Sequence, residues 1–125
     1  MKLPSKITRF EDLIVWQKSM ALAEEIYQVT KQGEFAKDWG LKNQIQRAAV
    51  SIPSNIAEGF ERYSNKEFRK FLLVAKGSAG ELRTQLYLAK SAEYLTQMEG
   101  ELLVKRCLEV SRLLGGTIKA VTEKQ

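Results

Sequence analysis

Apolar residues recur along this chain at alternating spacings of three and four, in four separate stretches. That spacing stacks side chains on one face of an α-helix. The first stretch starts near Phe10. Its line is Leu13, Trp16, Met20, Ala23, Tyr27 and Thr30, and it ends at Gly33 and a loop through Asp38. The second runs from about Trp39 to Arg62 and aligns Leu41, Ile45, Ala48, Ile52, Asn55 and Gly59. The third carries Phe68, Leu72, Ala75, Ala79, Leu82, Leu86 and Ala89 without a misstep, and the fourth Leu103, Cys107, Val110, Leu114, Thr117 and Val121. Thr8, Ser64 and Thr96 each precede a glutamate by three positions, the pattern of a helix-opening capping box. No stretch alternates with a period of two, so no strands are expected. The expectation is an all-α fold: an antiparallel up-down-up-down four-helix bundle in a single domain, 1–125. Its core spans about residues 10–121, with residues 1–7 and 122–125 frayed.

Two of these helices carry apolar residues off their main line. The third adds Leu73, Val74, Tyr87 and Leu88, and the first adds Val15, Leu22, Ile26 and Val29. One apolar stripe per helix suffices for a bundle core. A second stripe means either a broad core contact or an interface, and on the third helix we expect an interface between copies of the chain.

The second helix contains residues that a plain core helix avoids: Ser51, Pro53, Asn55, Glu58 and Gly59. Proline within a helix removes a donor and crowds the carbonyl four residues back, here Ala49, at a cost of roughly 3 kcal/mol. We read the group as a structural network. In that reading Ser or Asn satisfies the freed carbonyl, Arg47 and Glu58 pair, and Gly59 permits a close helix crossing. The sharper alternative is a phosphate or ligand site built on Arg47 and Arg62.

Composition narrows the chemistry. The chain has 125 residues, 44% hydrophobic and 28% charged, as in ordinary globular domains. No apolar run is long enough to span a membrane, and no apolar segment follows the charges of Met1–Lys6, so neither an anchor nor a signal peptide is expected. A single cysteine, Cys107, cannot form an internal disulfide, which fits a reducing, cytoplasmic setting. Histidine is absent, which excludes His-dependent triads and Cys/His zinc sites. We therefore expect no catalytic residues, no cofactor, no metal and no small-molecule substrate.

The net charge is +5, and residues 65–92 hold six positive against two negative side chains. Arg69, Lys76, Arg83 and Lys90 recur every seven residues, directly after core positions, and so form one stripe about 31 Å long. A localised basic row suits a polyanionic backbone. The plainer outcome is a solvated face, or pairing with glutamates on neighbouring helices. No aromatic residues interleave the stripe.

The opening Phe10-Glu11-Asp12-Leu13 with Trp16-Gln17-Lys18 resembles that of the small four-helix-bundle proteins encoded within intervening sequences of bacterial 23S rRNA genes. Gly40-Leu41 with Gln44-Ile45-Gln46-Arg47-Ala48, then Ser51-Ile52-Pro53-Ser54-Asn55-Ile56-Ala57-Glu58-Gly59, then Ala75-Lys76-Gly77-Ser78-Ala79-Gly80-Glu81-Leu82 carry the likeness across roughly residues 10–121. The resemblance implies a four-helix bundle that assembles as a homopentameric ring. It also implies a fold similar to the accessory variability protein of diversity-generating retroelements, which acts with a reverse transcriptase and binds nucleic acid. The function expected is that of a non-enzymatic oligomer, with itself and RNA or a ribonucleoprotein as partners. RNA would be held at Arg47, Arg62, Arg69, Lys76, Arg83 and Lys90. The alternative is a structural or protein-interaction adaptor, for example one serving a nucleic-acid enzyme.

Overall fold

A computed structural model describes residues 7–123. Helices α1 (Ile14–Val29), α2 (Trp39–Phe60), α3 (Asn65–Ser91) and α4 (Gln97–Glu123) form the bundle, and no strand occurs among the described residues. Short 3-10 turns at Phe10–Asp12 and Phe35–Lys37 precede α1 and α2.

The helices pack in a closed cycle, α1 on α2, α2 on α3, α3 on α4 and α4 on α1. Cross-helix pairs fix their sense. Gly59 faces Phe68 and Phe71 while Ser51 meets Ser78, so α2 and α3 run oppositely. Lys90 covers Gly100, Cys107 meets Ala79, Lys76 meets Ser111 and Arg69 meets Thr122, so α3 and α4 do too. Lys18–Glu109 with Glu25–Arg106 gives the same result for α1 and α4. One index rises as the other falls at each of these interfaces.

The expected lines of α3 and α4 are buried throughout, and those of α2 are buried except for the half-buried Leu41 and Asn55. Helix α1 departs from expectation. Its buried residues are Val15, Ser19, Leu22, Ala23 and Ile26, while Trp16 and Met20 are half-buried and Tyr27 is exposed. Leu13, Ala23 and Thr30 of the expected line are buried too, so the core here draws on both lines: Val15, Leu22 and Ile26 of the second stripe are buried and Val29 is half-buried. Both lines have helical spacing, and α1 contacts α2 on one side and α4 on the other, so periodicity alone does not choose between them.

Helix starts follow local chemistry. Asp38 accepts from the Leu41 N–H and opens α2, a cap absent from the sequence reading. Ser64 accepts from the Glu67 N–H at the start of α3. At α4 the box is complete: Thr96 accepts from Glu99 N–H and Glu99 accepts from Thr96 N–H. The Thr8 box does not form. The 3-10 turn at Phe10 has Arg9 before it with no side-chain cap, and α1 starts only at Ile14, after the extended Leu13. Fraying is also less than expected: Ile7 packs against the core, and Thr122 and Glu123 are helical. Residues 1–6 and 124–125 lie outside the described residues.

Phe35 plugs one end of the bundle. It is fully buried and stacks on Tyr94 at 5.2 Å between ring centroids. The Tyr94 hydroxyl donates to Asp38 at 2.8 Å, which clasps the α1–α2 and α3–α4 loops together.

Candidate nucleic-acid interface

The unusual stretch of α2 is structural in its contacts. The helix continues unbroken through the buried Pro53. The Asn55 amide donates to the Ser51 carbonyl at 2.8 Å and hydroxyl at 3.0 Å, and Ser51 and Ser78 share a hydroxyl bond of 2.9 Å. The amide thus serves Ser51 rather than the Ala49 carbonyl that Pro53 frees. Gly59 is a true close crossing, because a Cβ there would lie 2.7 Å from Phe71 Cβ. Glu58 pairs with Arg62 at 2.8 Å, one turn ahead on the same helix, and not with Arg47.

The six candidate phosphate-binding cations fall in three places. Arg62 sits at the end of α2, tied to Glu58 and, at 3.9 Å, to Glu67, with its guanidinium 5.0 Å from the centroid of the Phe71 ring. Arg47 lines a polar cleft of about 500 Å³ between α2 and α3, with Gln44, Ser51, Glu81 and Gln85. Gln85 was missed as a core residue; it is buried, and its Oε1 has no hydrogen-bond partner among the described residues.

Arg69, Lys76, Arg83 and Lys90 do come together, in one row along the α3–α4 groove. The row is built by α4 as much as by α3. Arg69 Nε donates to Thr122 Oγ1 at 3.0 Å, and Lys76 Nζ donates to the Ser111 carbonyl at 3.1 Å and hydroxyl at 3.0 Å. The Lys90 stem lies over Gly100, where a Cβ would collide with Lys90 Cγ. Arg83 is half-buried beside Cys107. Burial raises the Cys107 thiol to about 11, and the positive Arg83 opposes that rise. The stems are therefore packed and two of the heads are anchored by neutral acceptors.

Charge pairing does not cancel the row. Among the described residues, the cations within 4.0 Å of a carboxylate are Arg9, Lys18, Lys37, Arg62 and Arg106. None of the four row residues is among them. Pairing with glutamates on neighbouring helices, one of the plainer alternatives, does not occur among the described residues; a solvated face remains the other.

On the outer side of α3, Leu73, Val74, Tyr87 and Leu88 are 43–56% exposed. Between them Gly77 and Gly80 have no atom within 4 Å of a built Cβ, which leaves a bare saddle in the middle of the helix. A second apolar surface is a groove of about 550 Å³ between α1 and α2, lined by Trp16, Met20, Tyr27, Val50 and Pro53 among others. No helix is long and apolar enough to cross a membrane among the described residues.

The family model for 23S rRNA-intervening sequence proteins matches residues 11–116, nearly the whole bundle. The chain belongs to this family. A crystal structure of a protein from Bacteroides thetaiotaomicron VPI-5482, described as of unknown function and from the S23 ribosomal protein family, superposes with a TM-score of 0.79 at 29% identity. That match covers 85% of this chain and 96% of the other. No curated protein matches the chain. Membership in the family thus secures the four-helix fold, and the chemistry must be argued from the surface.

Proposed function

We propose that this member of the 23S rRNA-intervening sequence protein family is a non-enzymatic, self-associating bundle that binds RNA through sequence-independent phosphate contacts along the α3–α4 groove. The observation that carries this reading is the row Arg69, Lys76, Arg83 and Lys90: regular, with two of its four heads anchored by neutral acceptors and, among the described residues, none within 4.0 Å of a carboxylate. A cation already paired would have to break a bond to meet a phosphate. Among the described residues these four have no ion pair to break, and Arg69 and Lys76 bond only to neutral oxygens.

Self-association rests on the exposed apolar residues of α3. Leu73 and Tyr87 flank a glycine saddle that admits close approach of another helix. The family resemblance suggests a pentamer. In any oligomer the basic row repeats, so weak phosphate contacts reinforce one another through effective concentration.

The test is a triple variant, Arg69→Gln with Lys76→Gln and Arg83→Gln, titrated against unrelated RNA sequences by fluorescence anisotropy. Binding should weaken for all of them, and the slope of log affinity against log salt should flatten by about two to three. Unchanged affinity would replace this reading with that of a protein-interaction adaptor. For assembly, Leu73→Glu with Tyr87→Glu should give smaller particles in light scattering with helicity retained. A wild-type monomer at micromolar concentration would refute the oligomer.

A further inference from the structure

We infer that the exposed apolar ridge of α3 docks into the α1–α2 groove of a second copy, so that copies of the chain join head to tail rather than face to face. The inference rests on the self-association reading above and deepens it.

The bundle leaves two apolar surfaces uncovered, and they differ in shape. On α3, Leu73 and Val74 stand before the glycine saddle and Tyr87 and Leu88 after it, a convex strip about 22 Å long. The space between α1 and α2 is concave, holds about 550 Å³ and runs about 18 Å from Trp16 to Gln28. Its lining is apolar apart from Glu24, Gln28 and Ser54. Within that lining Tyr27 and Val50 are 40% and 39% exposed. Helices α1 and α3 sit diagonally in the cycle of packed helices, so the ridge points away from the groove of its own copy. One chain alone cannot cover either surface with the other.

A face-to-face contact pairs one surface with its twin. Ridge on ridge would set two convex strips together and leave both grooves open to water. Ridge in groove covers both apolar surfaces in a single contact, and the strip and the groove are of similar length. The α3 backbone between the two apolar pairs is bare at Gly77 and Gly80, so the groove wall can meet it directly.

Charge sets the direction of the docked helix. The other three interfaces are antiparallel, so α1 and α2 run oppositely too, and the Gln46 amide donates to the Thr30 hydroxyl at 2.9 Å at one end. The Trp16 end of α1 therefore lies beside the Ala57 end of α2. Glu61 stands one turn beyond Ala57, and Lys31 one turn beyond Tyr27 at the opposite end. On α3, Lys70 and Lys66 stand one and two turns before Leu73, and Glu93 lies in the turn just past the helix. These residues and Glu24 are exposed, and none is ion-paired among the described residues. Opposite charges meet when the Leu73 end of the ridge lies at the Ala57 end of the groove: Lys70 then comes to Glu61, and Glu93 to Lys31. The reverse docking sets Lys70 against Lys31 and Glu93 against Glu61. In the favoured direction α3 runs parallel to α1 of the next copy, as it does to α1 of its own. Neighbouring copies then point the same way and are related by rotation about an axis along the helices, the geometry of a closed ring.

The experiment mixes two variants of the full chain and reads particle size by light scattering at micromolar concentration. One carries Leu73→Glu with Tyr87→Glu on the ridge, the other Tyr27→Glu with Val50→Glu in the groove, and circular dichroism checks that both are folded. Each alone should be monomeric. An equal mixture should give a dimer and nothing larger, because one intact ridge meets one intact groove while the remaining ridge and groove are spoiled. A groove variant that assembles like wild type, or a mixture that stays monomeric, would overturn the head-to-tail contact while leaving self-association through α3 intact. The charge pair tests the contact without touching an apolar residue. Lys70→Glu should weaken assembly about fivefold, and Glu61→Lys added to it should restore wild-type assembly. A double variant no stronger than Lys70→Glu alone would overturn the docking direction. A wild-type chain that is monomeric would remove the self-association reading, and this inference with it.

Discussion

Gly59→Ala is a sharp test of how tightly α2 and α3 are crossed. On an open helix surface this change stabilises, because alanine is better than glycine in a helix interior by about 0.5–1 kcal/mol. At Gly59 the new Cβ would lie 2.7 Å from Phe71 Cβ, 3.1 Å from Phe68 Cδ1 and 3.4 Å from Phe68 Cα. The first and last of these neighbours are at or beside the α3 backbone, so rotamer changes cannot relieve the contact and the helices must move apart. Overpacking of that kind costs about 1–3 kcal/mol, which exceeds the propensity gain. The expected net result is a loss of about 1–2 kcal/mol, or several degrees in Tm for a chain of this size. Gly80→Ala is the control, since no atom stands within 4 Å of its built Cβ. Because Gly80 lies in the proposed self-association face, the change is made on the Leu73→Glu, Tyr87→Glu background, where it should stabilise the bundle by about 0.5–1 kcal/mol. Urea unfolding followed by circular dichroism, at matched protein concentrations, measures both. A Gly59→Ala protein as stable as wild type would refute the close crossing.

Three further outcomes follow from buried and clasped groups. Cys107 is buried, donates to the Ala79 carbonyl at 3.2 Å and has its thiol raised to about 11, so a thiol reagent at about pH 8 should leave it unlabelled until the protein is unfolded. Prompt labelling of the native protein would contradict its placement. The Leu41 N–H and the Tyr94 hydroxyl hold the Asp38 carboxyl below its ordinary range, so its contribution to stability is present above that range and is lost as pH falls through the lowered folded value. The gap in urea midpoint between wild type and Asp38→Ala should therefore narrow from about pH 5 to about pH 2; a constant gap would show that the clasp carries no charge dependence. Gln85→Leu removes a buried carbonyl that lacks a partner and should stabilise by about 1–3 kcal/mol, whereas a loss would mean that Oε1 is satisfied after all.

The sequence made the regular parts of this fold legible. The lines of α3 and α4 are buried as their spacing required, because each helix presents one dominant stripe. Helix α1 was legible only in part: Leu13, Ala23 and Thr30 of its expected line are buried, but so are Val15, Leu22 and Ile26, while Trp16, Met20 and Tyr27 are not. Which set is core depends on where α2 and α4 lie, and that is tertiary information. Phe35 was invisible for a different reason: it is a single apolar residue in a loop, with no period to announce it, and its burial depends on Tyr94 more than fifty positions away. The α3 row was legible from its heptad spacing, and its four residues do line one groove.

Leaving a row of cations unpaired costs the fold little, and this explains how such a surface can exist on a small bundle. Neighbours in a row are about 10.5 Å apart, so two unit charges in water repel by about 0.4 kcal/mol before screening. At physiological salt the Debye length is about 8 Å, which lowers that to about 0.1 kcal/mol for each pair. Burial of the aliphatic stems over α4, as at Gly100, offsets a penalty of that size. A polyanion laid along the groove meets all the charges at once, at contact distance, and releases a counterion for each phosphate neutralised. The heptad interval is thus wide enough for the protein to tolerate the charge and regular enough for a polyanionic backbone to use it. Moving the charges to a spacing of four would raise the repulsion and take half of them out of the groove. The seven-residue period is therefore the feature on which both the stability of this surface and its proposed function depend.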